Sequence, residues 1–420
     1  MSPDGAGGEA EGPGSEVTGP ERDIVIACLA GDEPGAYNVP VFVRFDEPVD
    51  IPRLVEAARR VLAASPALRT TYARSGRSLT RRASAPPPPV DLLRAHPSEL
   101  TALAEARRIA VTDPILVRAA VIDLDAPGRP HLFLNVHHAL ADGISLSLIL
   151  RAVLDAYVTG EVAVLAGPES DAAPERLPAR RTADLTPWAP TPADTGAFLA
   201  ALAARATPGS GVSVTERAIE THGIPTYAES LAAFVPALAD WLGVETVVVA
   251  TALAGRPIGS LRAIGNFVRL QPLALSARAT TDHADLARRL AIASADPGAP
   301  PPPSDPLTRA ASVAVVFDYK RESLVARRIH PGVAAYLVAD DGYRDVKYDL
   351  HVSLYQCAAV QHATLTARDL PADAVTGLLG AYAARLTPAR PASTSVPSVP
   401  SVPSGAPRAT ASEEALRACS

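Results

Sequence analysis

Cysteine, dense basic charge and long apolar runs are all scarce in this chain, and each scarcity excludes something. Three cysteines occur among 420 residues: Cys28, Cys357 and Cys419. Their odd number and wide spacing fit neither a disulfide framework nor a zinc site, so free thiols in a reducing cytoplasm are expected. Net charge is −6, from 39 Lys and Arg against 45 Asp and Glu. Without a basic run the chain has no electrostatic footprint for nucleic acid. No apolar stretch approaches the roughly 20 residues of a membrane span. The Gly-, Pro- and Glu-rich start lacks the charged-then-apolar order of a secretory signal. There is no phosphate-binding glycine loop, no metal-ligand cluster, and no Gly-x-Ser-x-Gly elbow for a covalent serine nucleophile. What is left is a globular composition, 48% hydrophobic and 20% charged, long enough for two lobes.

Periodicity predicts an α/β fold between two tails. Residues 1–20 hold little that could bury apolar surface, so a disordered tail is expected. Residues 387–420 carry a Val-Pro-Ser repeat (396–404) and read as an extended tail. In between, strands are expected at 39–45, 116–124 and 131–138, with helices at 51–64 and 144–157. The theme repeats as a helix at 227–242, strands at 245–253 and 267–275, and a helix at 283–293. Strands near 312–319, 333–338, 349–356 and 363–367 and a helix at 373–386 follow. Proline runs at 86–89 and 300–303 mark loops. The polar, poorly periodic stretch 160–211 reads as a crossover, so the division expected is 21–175 and 176–386.

The most informative segment is His131-Leu132-Phe133-Leu134-Asn135-Val136-His137-His138-Ala139-Leu140-Ala141-Asp142-Gly143. It reads as a buried strand ending in two histidines, then a turn, then a helix that Asp142 is placed to cap. Alternation puts Leu132, Leu134, Val136 and His138 on one face and Phe133, Asn135 and His137 on the other. The two imidazoles therefore serve different tasks. Strand ends that feed a helix N-terminus are where reactive side chains meet backbone donors.

The spacing His-His-x-x-x-Asp-Gly resembles the active-site signature of the superfamily containing chloramphenicol acetyltransferase and the condensation domains of nonribosomal peptide synthetases. Three further segments fit in order. Ser65-Pro66-Ala67-Leu68-Arg69-Thr70-Thr71-Tyr72 is similar to an "H-x-x-L-R-T-x-F" element. Ala254-Gly255-Arg256-Pro257 with Ile264-Gly265-Asn266-Phe267-Val268 is similar to "G-R … I-G-x-F-V-N-T". Lys347-Tyr348-Asp349-Leu350 is similar to "K-F-D-L". Arg269-Leu270 stands where Asn-Thr is usual, and the family's first motif and its "H-Q-D" and "R-D-x-S-R-N-P-L" elements are not recognisable. These departures weaken a peptide-bond-forming role more than acyl transfer. The string looks more like free-standing relatives that acylate small amines or alcohols, and it also resembles wax-ester and diacylglycerol acyltransferases.

The resemblance implies two acetyltransferase-like α/β sandwich lobes forming a pseudo-dimer with a tunnel between them. It implies an acyl thioester donor, on the phosphopantetheine of an acyl or peptidyl carrier protein or on coenzyme A. The acceptor would be a small amine or alcohol, with no bound cofactor, no metal and a monomeric chain. His138 would take or orient the acceptor proton, a task that an imidazole pKa near ~6.5 suits. Asp142 would hold the loop by pairing with an arginine, Arg69 or Arg256, while His137 orients the turn. Gly143 leaves room at the substrate and offers an amide to an oxyanion. Asn266, Phe267 and Arg269 would line the tunnel, with Arg269 a candidate contact for a phosphate or an acidic acceptor. A non-catalytic module that recruits a carrier-bound partner is the competing expectation, and the intact histidine motif argues against it.

Overall fold

A computed structural model describes residues 15–17, 19–30, 35–76, 78–82, 86–124, 130–167, 184–221, 223–256, 260–278, 283–294, 314–320, 328–338, 346–357 and 360–386. In chain order the elements begin with β1 (Ser15–Glu16), α1 (Gly19–Ala30), β2 (Asn38–Phe45) and α2 (Ile51–Ala64). Next come β3 (Thr71–Ser75), β4 (Ser78–Arg82), β5 (Val90–Ala95), α3 (Leu100–Glu105) and β6 (Val117–Leu124). They continue as β7 (His131–His137), α4 (Gly143–Thr159), α5 (Pro192–Arg205), β8 (Val212–Glu220) and α6 (Tyr227–Leu242). Then follow β9 (Thr246–Leu253), β10 (Arg269–Ser276), α7 (His283–Ser294), β11 (Val315–Lys320), β12 (Arg328–His330) and β13 (Val333–Val338). β14 (Leu350–Cys357), β15 (Val360–Arg368) and α8 (Ala372–Leu386) complete the described elements.

The fold is mixed α/β and divides into two compact units. The first is Met1–Glu175, Ile258–Phe267 and Arg328–Asp345, and the second holds the remainder. A single division after residue 175 is therefore too simple. Arg328–Asp345 joins the first unit because β13 pairs antiparallel with β2, Ala335 opposite Phe45. Ile258–Phe267 joins it through Ile264, a buried member of that unit's core.

In the first unit a six-stranded sheet runs β12-β13-β2-β7-β6-β5. β7 lies between β2 and β6, antiparallel to both, with His137 opposite Asn38 and Val136 opposite Val117. Every residue of β7 is buried, since both of its faces are covered. Leu132, Leu134 and Val136 pack into a core with Leu54, Val61 and Leu62 of α2 and Ile149 and Val153 of α4. Phe133 faces the other way, its ring centroid 5.0 Å from that of Phe42. Two covered faces explain the near-continuous apolar run. α2 starts where Asp50 accepts the Arg53 N–H, and Pro52 in its first turn lacks only a donor that has no intrahelical partner. α4 stops at Gly160, whose φ of 79° is the left-handed cap that glycine adopts without strain. A small sheet, β1-β4-β3, completes this unit. Val25 of α1 packs there with Val17, Leu79, Val111 and Ala139.

The second unit has a six-stranded sheet ordered β10-β9-β11-β14-β15-β8. Phe198, Phe234, Phe317 and Tyr382 form its centre. α6 opens with a capping box between Thr226 and Glu229. Two expectations need correction. Ser15–Glu16 pairs with β4 and α1 begins at Gly19, so the chain is ordered before residue 20. The expected crossover contains α5, whose apolar face of Phe198 and Leu202 is masked in sequence by surrounding alanines. The remainder of the expected N-terminal tail, the proline run 300–303 and the tail 387–420 lie outside the described residues.

Candidate active site

β7 ends at His137, one residue earlier than expected, and 138–140 form a turn. The His138 N–H donates to the Tyr37 carbonyl at 2.6 Å, and the Leu140 N–H to the His137 carbonyl at 2.8 Å. The half-buried His138 ring turns back on its own loop, with Nδ1 3.0 Å from the Ala141 carbonyl. A carbonyl only accepts, so Nδ1 is assigned the proton. Nε2 is then the nitrogen with the basic lone pair. His137, 0% exposed, is arranged the opposite way. Its Nδ1 accepts the Ala139 N–H at 3.2 Å, which puts its proton on Nε2. That nitrogen lies 3.6 Å from Cys28 Sγ. Adjacent imidazoles therefore hold opposite tautomers.

Asp142 is 2% exposed and works through backbone groups. Its Oδ1 accepts the Ser145 N–H at 2.8 Å as the N-cap of α4, and its carbonyl accepts the Leu146 N–H at 2.9 Å. Its Oδ2 faces the Phe267 N–H at 3.4 Å, and its own N–H donates to the Gly265 carbonyl at 3.2 Å. Ser145 reinforces the link, since its Oγ donates to the Gly265 carbonyl at 2.8 Å and accepts the Gly265 N–H at 3.1 Å. The segment 263–267 is thus strapped across the start of α4, which brings Asn266 and Phe267 beside the motif. Asn266 is buried and Phe267 half-buried. An exposed Gly143 opens the helix, and a Cβ built on it would meet no atom within 4 Å. The first amides of a helix have no intrahelical acceptor. Asp142 takes those of Ser145 and Leu146, and Gly143 and Ile144 stand exposed at the start of the helix.

Of the other expected residues, Arg69 ends a short 3-10 turn, Pro66–Arg69, in the first unit. Arg256 and Arg269 belong to the second unit, Arg256 buried and Arg269 half-buried at the start of β10.

Sequence reasoning missed a buried polar layer behind the strand. Asn38 donates to the carbonyls of Gly35 (3.0 Å) and Ile109 (2.8 Å) and accepts the Ile109 N–H at 2.8 Å. Asn135 Nδ2 donates to Asn38 Oδ1 at 2.7 Å and to the Arg107 carbonyl at 2.8 Å. These bonds fix the loop at 107–109 and the register of β2 against β7. Beside Cys28, Tyr72 donates its hydroxyl proton to Glu21 at 2.6 Å, and Arg81 pairs with Glu21 at 3.3 Å. Burial, with Glu21 adding to it, pushes the Tyr72 hydroxyl well above its ordinary pKa. A polar residue such as Asn135 inside an apolar strand was the one signal of this layer. Among the described residues no group of His, Cys, Asp and Glu could hold a metal, and no helix is long and apolar enough to cross a membrane.

Residues 24–165 match the Condensation domain family. No curated protein sequence matches the chain. Among solved structures the chain is similar to the starter condensation domain of rhizomide synthetase, at 16% identity and a TM-score of 0.60 over 89% of this chain and 96% of that one. It is also similar to the first condensation domain of the calcium-dependent antibiotic synthetase, at 16% identity and a TM-score of 0.63 over 90% and 96%. A structure of condensation-domain-mediated chain release from the enacyloxin polyketide synthase is 20% identical, with a TM-score of 0.59 over 92% and 86%. The fold is that of condensation-domain structures.

Proposed function

We propose that this protein is an acyltransferase that joins an acyl thioester to an amine or alcohol, with His138 as the base. The observation that carries this reading is the bond from Nδ1 of His138 to the Ala141 carbonyl, which directs the basic nitrogen, Nε2, away from the loop. The acceptor nitrogen or oxygen attacks the thioester carbonyl carbon directly, and Nε2 takes its proton. The carbonyl electrons move to oxygen, where the Gly143 and Ile144 amides supply donors. The oxyanion then collapses, the C–S bond breaks, and the thiolate leaves with the proton that His138 held. Asp142 contributes by capping α4 and holding the strap, not by proton transfer. The thioester is carried on phosphopantetheine, whether of a carrier protein or of coenzyme A, and the condensation-domain neighbours favour the carrier protein.

The test incubates the protein with acyl thioesters of both kinds and a mixed panel of amines and alcohols, followed by intact-mass detection of products. Amide or ester product that depends on His138 supports the reading. Stable capture of a loaded carrier protein, unaffected by His138→Ala and with no product from any donor, replaces it with a recruiting role. Discrimination by acyl chain length separates a lipid-ester synthase from an enzyme of short polar substrates.

A further inference from the structure

We propose that Cys28 is a positioning residue for the active-site turn, acting through His137. α1 carries Cys28 against the end of β7, where Sγ lies 3.6 Å from His137 Nε2. The other ring nitrogen of His137 receives the Ala139 N–H at 3.2 Å, so the ring must present a proton at Nε2. A sulfur is a weak but serviceable acceptor for it. The chain of contacts runs from thiol to imidazole to the Ala139 amide. Ala139 is 0% exposed and follows His138 directly. Reversing the His137 tautomer would set Nδ1–H against the Ala139 N–H, donor against donor, and displace the turn that aims His138.

The thiol acts as a neutral group in this role. Cys28 sits in the last turn of α1, where the helix dipole opposes a thiolate. Glu21 is engaged by Tyr72 and Arg81, so the carboxylate nearby is already committed. Cys28 therefore behaves as an acceptor that fixes a tautomer and not as a nucleophile.

The catalytic part of this inference rests on the acyl-transfer reading, and the experiment separates the two. Nitrogen-15 labelling of histidine in the full chain reports each ring's tautomer, with His137 assigned from a His137→Gln variant. The wild type is expected to show His137 as Nε2–H. Cys28→Ala is expected to mix its tautomers and shift the Ala139 amide signal, and Cys28→Ser to restore both. In turnover assays Cys28→Ala should lower kcat on the order of 10-fold with KM unchanged, as a misaimed base does, with Cys28→Ser returning most of it. Unchanged melting temperatures show that these are not folding effects. A wild-type His137 protonated at Nδ1, or an unaltered tautomer and Ala139 signal in Cys28→Ala, overturns the proposal. The expected spectra with no turnover in any variant would sink the acyl-transfer reading and leave the positioning contact standing.

Discussion

Asp142 offers the sharpest test of how the strap over α4 is held. Replacing it with alanine removes an N-cap, which costs about 1 kcal/mol. It also strips the acceptor from the Phe267 N–H. That partly buried amide adds about 1 kcal/mol, at the low end for an unsatisfied donor. The sum is about 2 kcal/mol. Units of 150–250 residues shift by about 2–4 °C per kcal/mol, so melting of the first unit should fall by about 4–8 °C. Asparagine caps as well as aspartate but offers one acceptor where the carboxylate offers two. It keeps the bond to Ser145 and sets an NH2 against the Phe267 amide, so Asp142→Asn should cost about half as much. Scanning calorimetry of the full chain measures both. If the alanine variant melts within about 1 °C of wild type, the two-sided clamp by this carboxylate is wrong.

Three other outcomes follow from the same geometry. Asn38→Ala should cost about 3 kcal/mol in urea titration, because it deprives the Ile109 N–H and Asn135 Nδ2 of an acceptor inside the fold; a loss under 1 kcal/mol contradicts that network. Gly143→Leu should leave the urea midpoint nearly unchanged, since a Cβ there meets no protein atom, yet reduce acyl transfer more than about 10-fold by filling substrate space; full activity contradicts the assigned space. His362 stacks on Tyr355 at 4.8 Å, and burial holds its pKa below the ordinary 6.5. The folded state thus keeps this ring neutral where the unfolded chain protonates it. Its contribution is whole above about pH 6.5 and lost as pH falls through the lower folded value. His362→Gln should flatten that acid slope of unfolding free energy, and an unaltered slope refutes the assignment.

Strongly apolar elements were legible in the sequence, and the residues that brace them were not. α2 and α6 occupy Ile51–Ala64 and Tyr227–Leu242, the limits that periodicity predicts, because their apolar faces are covered and their caps are explicit. β5 and β8 escaped notice. Both are sheet edges with several exposed positions, so burial imposes little pattern on them. α1 was missed because Ile24, Val25, Ile26 and Leu29 mark no single face, and half of them stay exposed. His137, His138, Asp142 and Gly143 stood out through their spacing. Their supports did not, because those contacts span long separations. Cys28 lies 109 residues from His137, Ser145 lies 120 from Gly265, and Asn38 lies 71 from Ile109. Local chemistry marks a site in sequence, whereas the folded chain chooses what holds it.

The central claim concerns one nitrogen atom, Nε2 of His138. A single-turnover measurement with a loaded carrier protein and its amine or alcohol acceptor, comparing wild type with His138→Ala at equal melting temperature, tests it most directly. The expected result is a fall in the acyl-transfer rate of about 10²–10⁴-fold, the usual worth of a general base. A rate within a few-fold of wild type would show that this imidazole does not move the proton.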